Sequence, residues 1–350
     1  MRFSKTGSFP GGSKGGAVSG LTIHKEEQLN AVAGEVQALL AVVGPILKGV
    51  LYALKAEVAA EAGDYDNLKL LMLARLRRQG DGDCGICFEY AVHEALNSGD
   101  AHVLERVADA LKLCKIAGAE PKSLLFGLEK SGRQQLIDTA HQEFTDNSRV
   151  LSGAKGQPPK IKRYLAELAR SFRRRTTALP TSISGLWKAD LFLGLPEAER
   201  WVGTTVKINH TALVSAKGLR IGIVPSLAGK SDKVIKDDKK NLVICPLHHD
   251  GQFMEIFYDA WNIVLAFLAS DAKVPKEVVL PNPAHREVAR QLEQRRDFPV
   301  LDVIEALKVF AQPELLRTSS REPGLQTLAG GENLANMVVA PRARIIKAKR

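Results

Sequence analysis

Four short apolar runs between residues 187 and 247, followed by a long helical pattern, constrain the fold of this chain most strongly. The runs KADLFLG, RWVGTTVKIN, GLRIGIVP and NLVICPL are rich in β-branched and aliphatic residues and are separated by turn residues, which is typical of β-strands. The segment GQFMEIFYDAWNIVLAFL that follows has apolar residues at helical spacing, from Phe253 to Phe267. Strands followed by a helix predict an α/β protein.

Composition divides the chain into four segments. With 350 residues, 45% of them hydrophobic, the chain is long enough to bury a substantial core. Pro45 is expected to kink or split an early helical run, and SLLFGLE is a candidate short buried strand. We expect a flexible basic arm over residues 1–22, a helical region over 23–80, a core over 81–275 with a helical insertion at about 100–182, and C-terminal helices with a basic tail over 276–350.

Charge and cysteine content indicate the setting of the protein. The formal net charge of +10 favours an anionic partner such as nucleic acid. Four scattered cysteines and the absence of a signal-peptide pattern predict a cytoplasmic, reducing environment. The apolar run that starts at Ala31 contains Glu35 and Lys48, so its uncharged stretch is predicted to be too short for a bilayer. We expect a buried helix there and no membrane association.

The first two strand-like runs carry the main candidate site. The pattern places Asp190 on one strand and Thr205 and Lys207 on the next, joined by a turn that contains Gly194 and Pro196. Because alternate side chains of a strand share a face, Thr205 and Lys207 point the same way. An acid that holds a divalent cation, an oxygen ligand beside it and a lysine that orients water suit metal-dependent phosphodiester hydrolysis.

Three motifs together resemble the PD-(D/E)XK nuclease superfamily, the fold of many restriction endonucleases. GICFEYAVHEAL is similar to the first core helix of that family, which often carries a glutamate near the metal, here Glu89. KADLFLG supplies the family aspartate as Asp190, and TVK stands where (D/E)XK is expected, giving Thr205 and Lys207. The resemblance implies a restriction-endonuclease-like mixed sheet of four or five strands flanked by helices.

The resemblance also implies an activity and roles for its residues. It suggests a Mg²⁺- or Mn²⁺-dependent DNA endonuclease, of the kind that serves restriction or phage defence, acting as a homodimer or in a larger defence complex. Asp190 would be the main metal ligand and Glu89 a second carboxylate. Lys207 would position the attacking water and stabilise the transition state, and Thr205 would orient metal or water. Thr205 departs from the family pattern, because a neutral hydroxyl binds a hard cation less strongly than a carboxylate.

A basic amphipathic helix precedes the candidate site. The segment KIKRYLAELARSFRRR has Ile161, Leu165 and Phe172 on one helical face. We expect the opposite face to contact DNA phosphates, together with the N-terminal arm and the C-terminal tail. The basic residues of this helix are Lys160, Lys162, Arg163, Arg170, Arg173, Arg174 and Arg175.

Two other metal-site patterns compete with this interpretation. Cys84 and Cys87, with Cys245 and His248, form two pairs at zinc-knuckle spacing that could meet in a tetrahedral site. Zinc is not favoured, because CPLHHD directly follows a buried strand and Cys87 lies in an apolar helix, where cysteine often serves as a small hydrophobe. NLVICPLHHD also resembles the second half of an HNH nuclease motif, which would use Asn241 and His248 with His210 upstream. The alternative to an enzyme is a non-catalytic nucleic-acid-binding or assembly protein with a degenerate nuclease fold.

Other catalytic arrangements have less support. The sequence has no phosphate-binding loop of the G-x4-GK[ST] type, which argues against an ATPase. Cys84 or Cys87 with His93 would place a nucleophile and its base on one helix, where they cannot enclose an acyl substrate. Glu89 and His93 are spaced to form a pair along a helix surface.

Overall fold

The computed structural model describes residues 16–54, 66–77, 83–118, 120–125, 142–151, 157–162, 189–213, 218–227, 231–248, 252–275 and 280–311, and the single residues 60, 63 and 229. Side chains are described from residue 32 onwards. The helices of the described residues are α1 (Gly16–Ala53), α2 (Leu70–Leu76), α3 (Cys84–Ser98), α4 (Ala101–Leu113), α5 (Gln252–Ala269), α6 (Pro283–Glu293) and α7 (Val300–Lys308).

The described strands form one mixed sheet. They are β1 (Lys122–Leu125), β2 (Arg149–Val150), β3 (Leu191–Leu195), β4 (Arg200–Val206), β5 (Arg220–Pro225), β6 (Ile235–Asp237) and β7 (Leu242–Leu247). Their order across the sheet is β1-β3-β4-β5-β7-β6, and the short β2 pairs with β4. The pairs β1–β3, β3–β4 and β6–β7 are antiparallel. The pairs β4–β5, β5–β7 and β2–β4 are parallel.

This architecture confirms an α/β protein with N-terminal helices and a mixed sheet packed against helices. The sheet has seven strands rather than four or five. Strands β2 and β6 span two and three residues, which is too short for a detectable alternation of polar and apolar side chains. The segment expected to be a helical insertion contains β1 and β2 as well as α4, and β1 includes the first residues of SLLFGLE.

Helix α1 lies at the centre of the helical layer. It starts at Gly16, inside the expected arm, and continues through Pro45 without a break. It contacts α3, α5, α6 and α7. We expected the uncharged stretch of this helix to be too short for a bilayer. By length and composition alone, however, Val32–Ala53 could cross one, with a mean hydropathy of 1.7. In the most apolar stretch of this segment, 67% is buried inside the protein, as expected for a core helix.

The core joins these helices to one face of the sheet. The apolar face expected on α5 is buried, and Phe257 of α5 packs edge-on against Phe88 of α3 with ring centroids 5.1 Å apart. Leu191 and Val206 of the sheet belong to the same core. Two further helices expected over residues 283–311 are confirmed as α6 and α7. Helix α3 is therefore held between the sheet and the other helices.

Asn282 connects α6 to α1, and its replacement tests how these helices are held. Its side-chain oxygen accepts the Ala284 amide at 2.8 Å, and its amide group donates to Glu35 of α1 at 2.7 Å. We expect Asn282→Ala to lower the free energy of unfolding by about 1–3 kcal/mol, from the lost cap and the lost link. Asn282→Ser keeps a cap acceptor without adding a charge beside Glu35, and its free energy of unfolding in urea should fall less than that of Asn282→Ala. An unchanged midpoint for Asn282→Ala would contradict this account.

Candidate active site

Three charged side chains from distant parts of the chain meet at one end of the β3–β4 hairpin. The ammonium nitrogen of Lys207 lies 3.0 Å from Oδ2 of Asp190 and 3.1 Å from Oε1 of Glu89. Glu89 comes from α3, Asp190 immediately precedes β3, and Lys207 immediately follows β4. The residues proposed from the sequence as two acids and a lysine are therefore in direct contact.

The hairpin register fixes Asp190 against the end of β4. Leu191 pairs with Thr204, and the Asp190 amide extends this pairing by donating to the Thr204 carbonyl at 2.9 Å. The carboxylate then accepts the amide of Val206 at 3.0 Å. Lys207 is held on the other side, where its amide donates to the Ile223 carbonyl of β5 at 2.9 Å. Backbone hydrogen bonds thus preorganise both residues before any ligand is present.

The hairpin turn differs from our expectation in one respect. Gly194 lies inside β3, opposite Trp201, and the connection to β4 is formed by the residues from Pro196 to Glu199. A Cβ atom at Gly194 would lie 2.3 Å from the carbonyl oxygen of Arg200 and 2.7 Å from the Trp201 ring. Glycine is therefore required here for close packing within the hairpin rather than for a turn.

Glu89 is a buried acid in an otherwise apolar stretch of α3. Only 6% of its side chain is exposed, compared with 19% for Asp190 and 32% for Lys207. Transfer of a carboxylate from water into such a place is unfavourable unless a cation or hydrogen-bond donors face it. The Lys207 ammonium provides one such partner, and its partial exposure leaves the site open to solvent on that side.

Thr205 is on β4, two residues before Lys207, but is not the acid that the family pattern would place there. It is half-buried and pairs with Gly222 of β5. Strand alternation puts it on the same face as Gly203 and Lys207. Its hydroxyl is thus on the site face of β4, where it offers a neutral oxygen rather than a charge.

Arg220 is a site residue that the sequence analysis did not identify. It starts β5, pairs with Gly203 of β4 and is only 4% exposed. Burial lowers the pKa of Arg220 to about 10, and the nearby Asp190 carboxylate acts in the opposite direction. GLRIGIVP was interpreted only as a buried strand. The available signal was a lone arginine at the start of a run whose other residues are apolar or glycine.

His93 is directed away from the three-residue site. Its ring Nδ1 lies 3.0 Å from the Ser123 hydroxyl, and its Nε2 lies 3.4 Å from the side-chain nitrogen of Asn97. His93 therefore bridges α3 and β1 rather than forming the helix-surface pair expected with Glu89. Burial, with a smaller effect of the Lys48 charge, lowers the pKa of His93 to about 4.

This shift predicts a pH-dependent stability. The folded protein keeps His93 neutral down to about pH 4, whereas the unfolded chain binds a proton below its ordinary pKa of 6.5. The free energy of unfolding is therefore unaffected by His93 above pH 6.5. It falls by up to roughly 3 kcal/mol as the pH falls from 6.5 towards 4, because the unfolded chain binds a proton that the folded protein does not. His93→Gln should flatten this part of the pH profile of urea unfolding. An equal slope in wild type and variant would refute the assignment.

The four candidate zinc ligands are not brought together. The Cys87 thiol donates to the Ile46 carbonyl in the helical layer, whereas the Cys245 thiol donates to the Arg106 carbonyl beside β7. His248 pairs with Asp232. Burial is the main cause that raises the pKa of Cys84 to about 11 and of Cys245 to about 12, so these thiols remain protonated at neutral pH.

The residues proposed for an HNH motif are also separated. Asn241 immediately precedes β7 and His248 immediately follows it, so the strand of six residues holds them at opposite ends, roughly 20 Å apart. His210 lies at the His248 end, where its Nε2 contacts the Pro225 carbonyl. The strand arrangement therefore does not assemble the expected unit.

Only residues 160–162 of the segment expected to form a basic helix lie within the described part of the chain, and Lys160 forms a β-bridge with Arg149. Lys160 donates to Asn147 at 3.2 Å, and Lys162 forms an ion pair with Asp146 at 2.8 Å. Both cations are thus already engaged with neighbouring side chains. The remaining proposed phosphate contacts, Arg163, Arg170, Arg173, Arg174 and Arg175, lie outside the described residues.

The two carboxylates that face Lys207 are the kind of ligands that suit a hard divalent cation with few protein ligands. Within the described ranges, no cluster of three or more His, Cys, Asp or Glu side chains is arranged to hold a metal ion. Glu89 and Asp190 offer two carboxylates that face one cationic nitrogen. Mg²⁺ commonly binds through one or two carboxylates and keeps water for its other positions. The two acids fit such an ion, and they fit zinc poorly.

The chain matches no family model, and it has no significant match among curated proteins or solved structures.

Proposed function

We propose that this protein is a metal-dependent endonuclease that hydrolyses phosphodiester bonds in DNA. The contact of Glu89, Asp190 and Lys207 carries the proposal. Lys207 and Glu89 are separated by 118 positions in the chain, yet their side chains are 3.1 Å apart. Two acids and a lysine beside an antiparallel hairpin are the arrangement that the resemblance to PD-(D/E)XK nucleases implied.

Each residue has a role that follows from its surroundings. Oδ2 of Asp190 accepts hydrogen bonds from both the Val206 amide and the Lys207 ammonium, so this oxygen is held in place. Glu89 supplies negative charge from a buried position, which makes that charge more effective than at an exposed one. The Lys207 side chain is more exposed than those of Asp190 and Glu89, and its ammonium can donate a hydrogen bond to a water molecule or to a phosphate oxygen.

Asp190 and Glu89 would hold the divalent cation, and Thr205 would contribute a neutral oxygen on the same strand face. When bound, Mg²⁺ or Mn²⁺ would polarise the phosphate and lower the pKa of an attacking water. Lys207 would then turn from the carboxylates towards the anionic phosphate. Its flexible stem allows this movement, because the ammonium is held by charge rather than by a fixed bidentate geometry.

Plasmid cleavage tests the proposal. Purified protein should nick or linearise plasmid DNA in Mg²⁺ or Mn²⁺ and should lose this activity when a chelator is added. Asp190→Ala and Lys207→Ala should be inactive. Asp109→Asn and Lys112→Ala provide matched controls. On α4, the Lys112 ammonium and the Asp109 carboxylate form an exposed ion pair, 3.0 Å apart, that takes no part in the contact of Glu89, Asp190 and Lys207. Both control variants should cleave as the wild type does.

A second candidate function is non-catalytic binding of nucleic acid. Thr205 favours it, because the site lacks the second acid of the family pattern at that position. The net charge of +10 would support DNA binding without cleavage. If the wild type binds DNA with steep salt dependence but cleaves no duplex, single-stranded DNA or RNA beyond its Asp190 variant, the enzyme proposal fails and this candidate replaces it.

A further inference from the structure

Arg220 is a buried cation with unsatisfied hydrogen-bonding capacity. Its residue exposure is 4%, and its Nη1 has no hydrogen-bond partner among the described residues. A buried guanidinium in this state is unfavourable and requires a compensating charge. The charge that acts on Arg220 is that of Asp190.

The sheet is built to admit this guanidinium. Arg220 pairs with Gly203 across β4 and β5, and a Cβ atom at Gly203 would lie 2.4 Å from Nη1 of Arg220. The same Cβ position is 3.4 Å from the Cβ of Ala189, the residue before Asp190. The absence of a side chain at Gly203 thus creates the space that the Arg220 guanidinium occupies, next to the chain segment that carries Asp190.

The charges of the four side chains at this place cancel. Glu89 and Asp190 are negative, whereas Lys207 and Arg220 are positive. Lys207 is partly exposed and flexible, so it can move when a ligand arrives. Arg220 is buried on a strand and has no such freedom. Its charge therefore acts on any cation that approaches Asp190, and Thr205 adds no negative charge to offset it.

We propose that Arg220 is a positioning residue that acts through Asp190, providing a fixed positive charge that limits the site to one weakly held divalent cation. This inference rests on the proposed function, because it concerns the cation of the same site. Weak binding would follow from repulsion between the guanidinium and the entering ion.

Removal of this charge should strengthen metal binding. In a partly buried site, a single positive charge several ångströms from a divalent ion repels it. This repulsion is strong enough to weaken the affinity for the ion at least about tenfold. Arg220→Gln and Arg220→Met should therefore bind Mn²⁺ at least about tenfold more tightly than the wild type. Arg220→Lys keeps the charge and should stay near the wild-type affinity. If Arg220 had a merely structural role, Mn²⁺ affinity would not follow the charge of the side chain in this way.

Mn²⁺ binding to chelator-treated protein, measured by electron paramagnetic resonance, tests the inference without DNA or turnover. Arg106→Gln is the matched control. Arg106 is a partly buried arginine whose Nη2 is likewise without a partner among the described residues, but its Nε donates to the Pro246 carbonyl beside β7. The Arg106→Gln variant should bind Mn²⁺ with the same affinity as the wild type.

The outcomes separate this inference from the proposed function. Tighter Mn²⁺ binding by both neutral variants supports the role of Arg220, even if the wild type proves to cleave no DNA. Unchanged or weaker binding overturns the inference, even if the wild type is an active nuclease. Loss of the folded state in both neutral variants, judged by circular dichroism, would also overturn it, because Arg220 would then be required by the fold.

Discussion

Replacement of Asp190 by asparagine is expected to reduce metal-dependent DNA cleavage by roughly a thousandfold or more. Asparagine has nearly the same shape, and its side-chain oxygen can still accept the Val206 amide that holds Asp190 at 3.0 Å. The hairpin hydrogen bond should therefore be kept, and circular dichroism checks that the variant folds although Arg220 loses the charge that acts on it. What is lost is the negative charge that faces Lys207 and would hold the divalent cation.

The measurement is a single-turnover cleavage rate at saturating Mg²⁺, combined with DNA affinity in the presence of a chelator. Asp190→Asn should bind DNA within about twofold of the wild type, since one carboxylate contributes little to phosphate binding and opposes it. Asp109→Asn, on the exposed face of α4, should retain full cleavage. Equal cleavage by Asp190→Asn and the wild type would remove Asp190 from the active site.

Replacement of Lys207 by methionine is expected to lower both activity and stability. Methionine keeps much of the apolar stem but leaves the carboxylates of Asp190 and Glu89 facing each other without the ammonium between them. Because Glu89 is buried, removal of the cation should cost about 3 kcal/mol of unfolding free energy. Cleavage should fall by roughly a hundredfold or more, through loss of a donor to the transition state.

A double variant separates these two effects. Glu89→Gln combined with Lys207→Met removes the facing charges and should recover part of the lost stability in urea unfolding. It should not recover cleavage, because neither side chain can then perform its role. Lys112→Ala, which breaks an exposed ion pair, should change stability by less than about 1 kcal/mol. If Lys207→Met is as stable as the wild type, Lys207 does not balance the buried acid.

The sequence predicted the parts of the fold that have strong periodicity. The apolar face of α5 from Phe253 to Phe267 and the four strand-like runs all appear as expected, because each buries its pattern against the same core. The two-residue strand β2 and the three-residue strand β6 could not be predicted. Such short strands depend on pairing with distant partners rather than on their own residues.

The candidate site was predicted through its residues and not through its geometry. Asp190 and Lys207 were placed correctly as neighbours because they belong to adjacent strands of one hairpin. The contact of Glu89 with Lys207 depends on how α3 packs against the sheet, which no local pattern encodes. Arg220 was not identified from the sequence, because its pairing with Gly203 is a register that only the folded sheet reveals.

The most direct test of the central claim is the rate of duplex DNA cleavage by chelator-treated protein as Mn²⁺ is added back in steps. We predict a saturable rise in rate for the wild type, no rise for Asp190→Asn or Glu89→Gln, and a normal rise for Asp109→Asn. No cleavage by the wild type at any Mn²⁺ concentration, at protein concentrations that bind the DNA fully, would contradict the assignment of Glu89, Asp190 and Lys207 as a nuclease site.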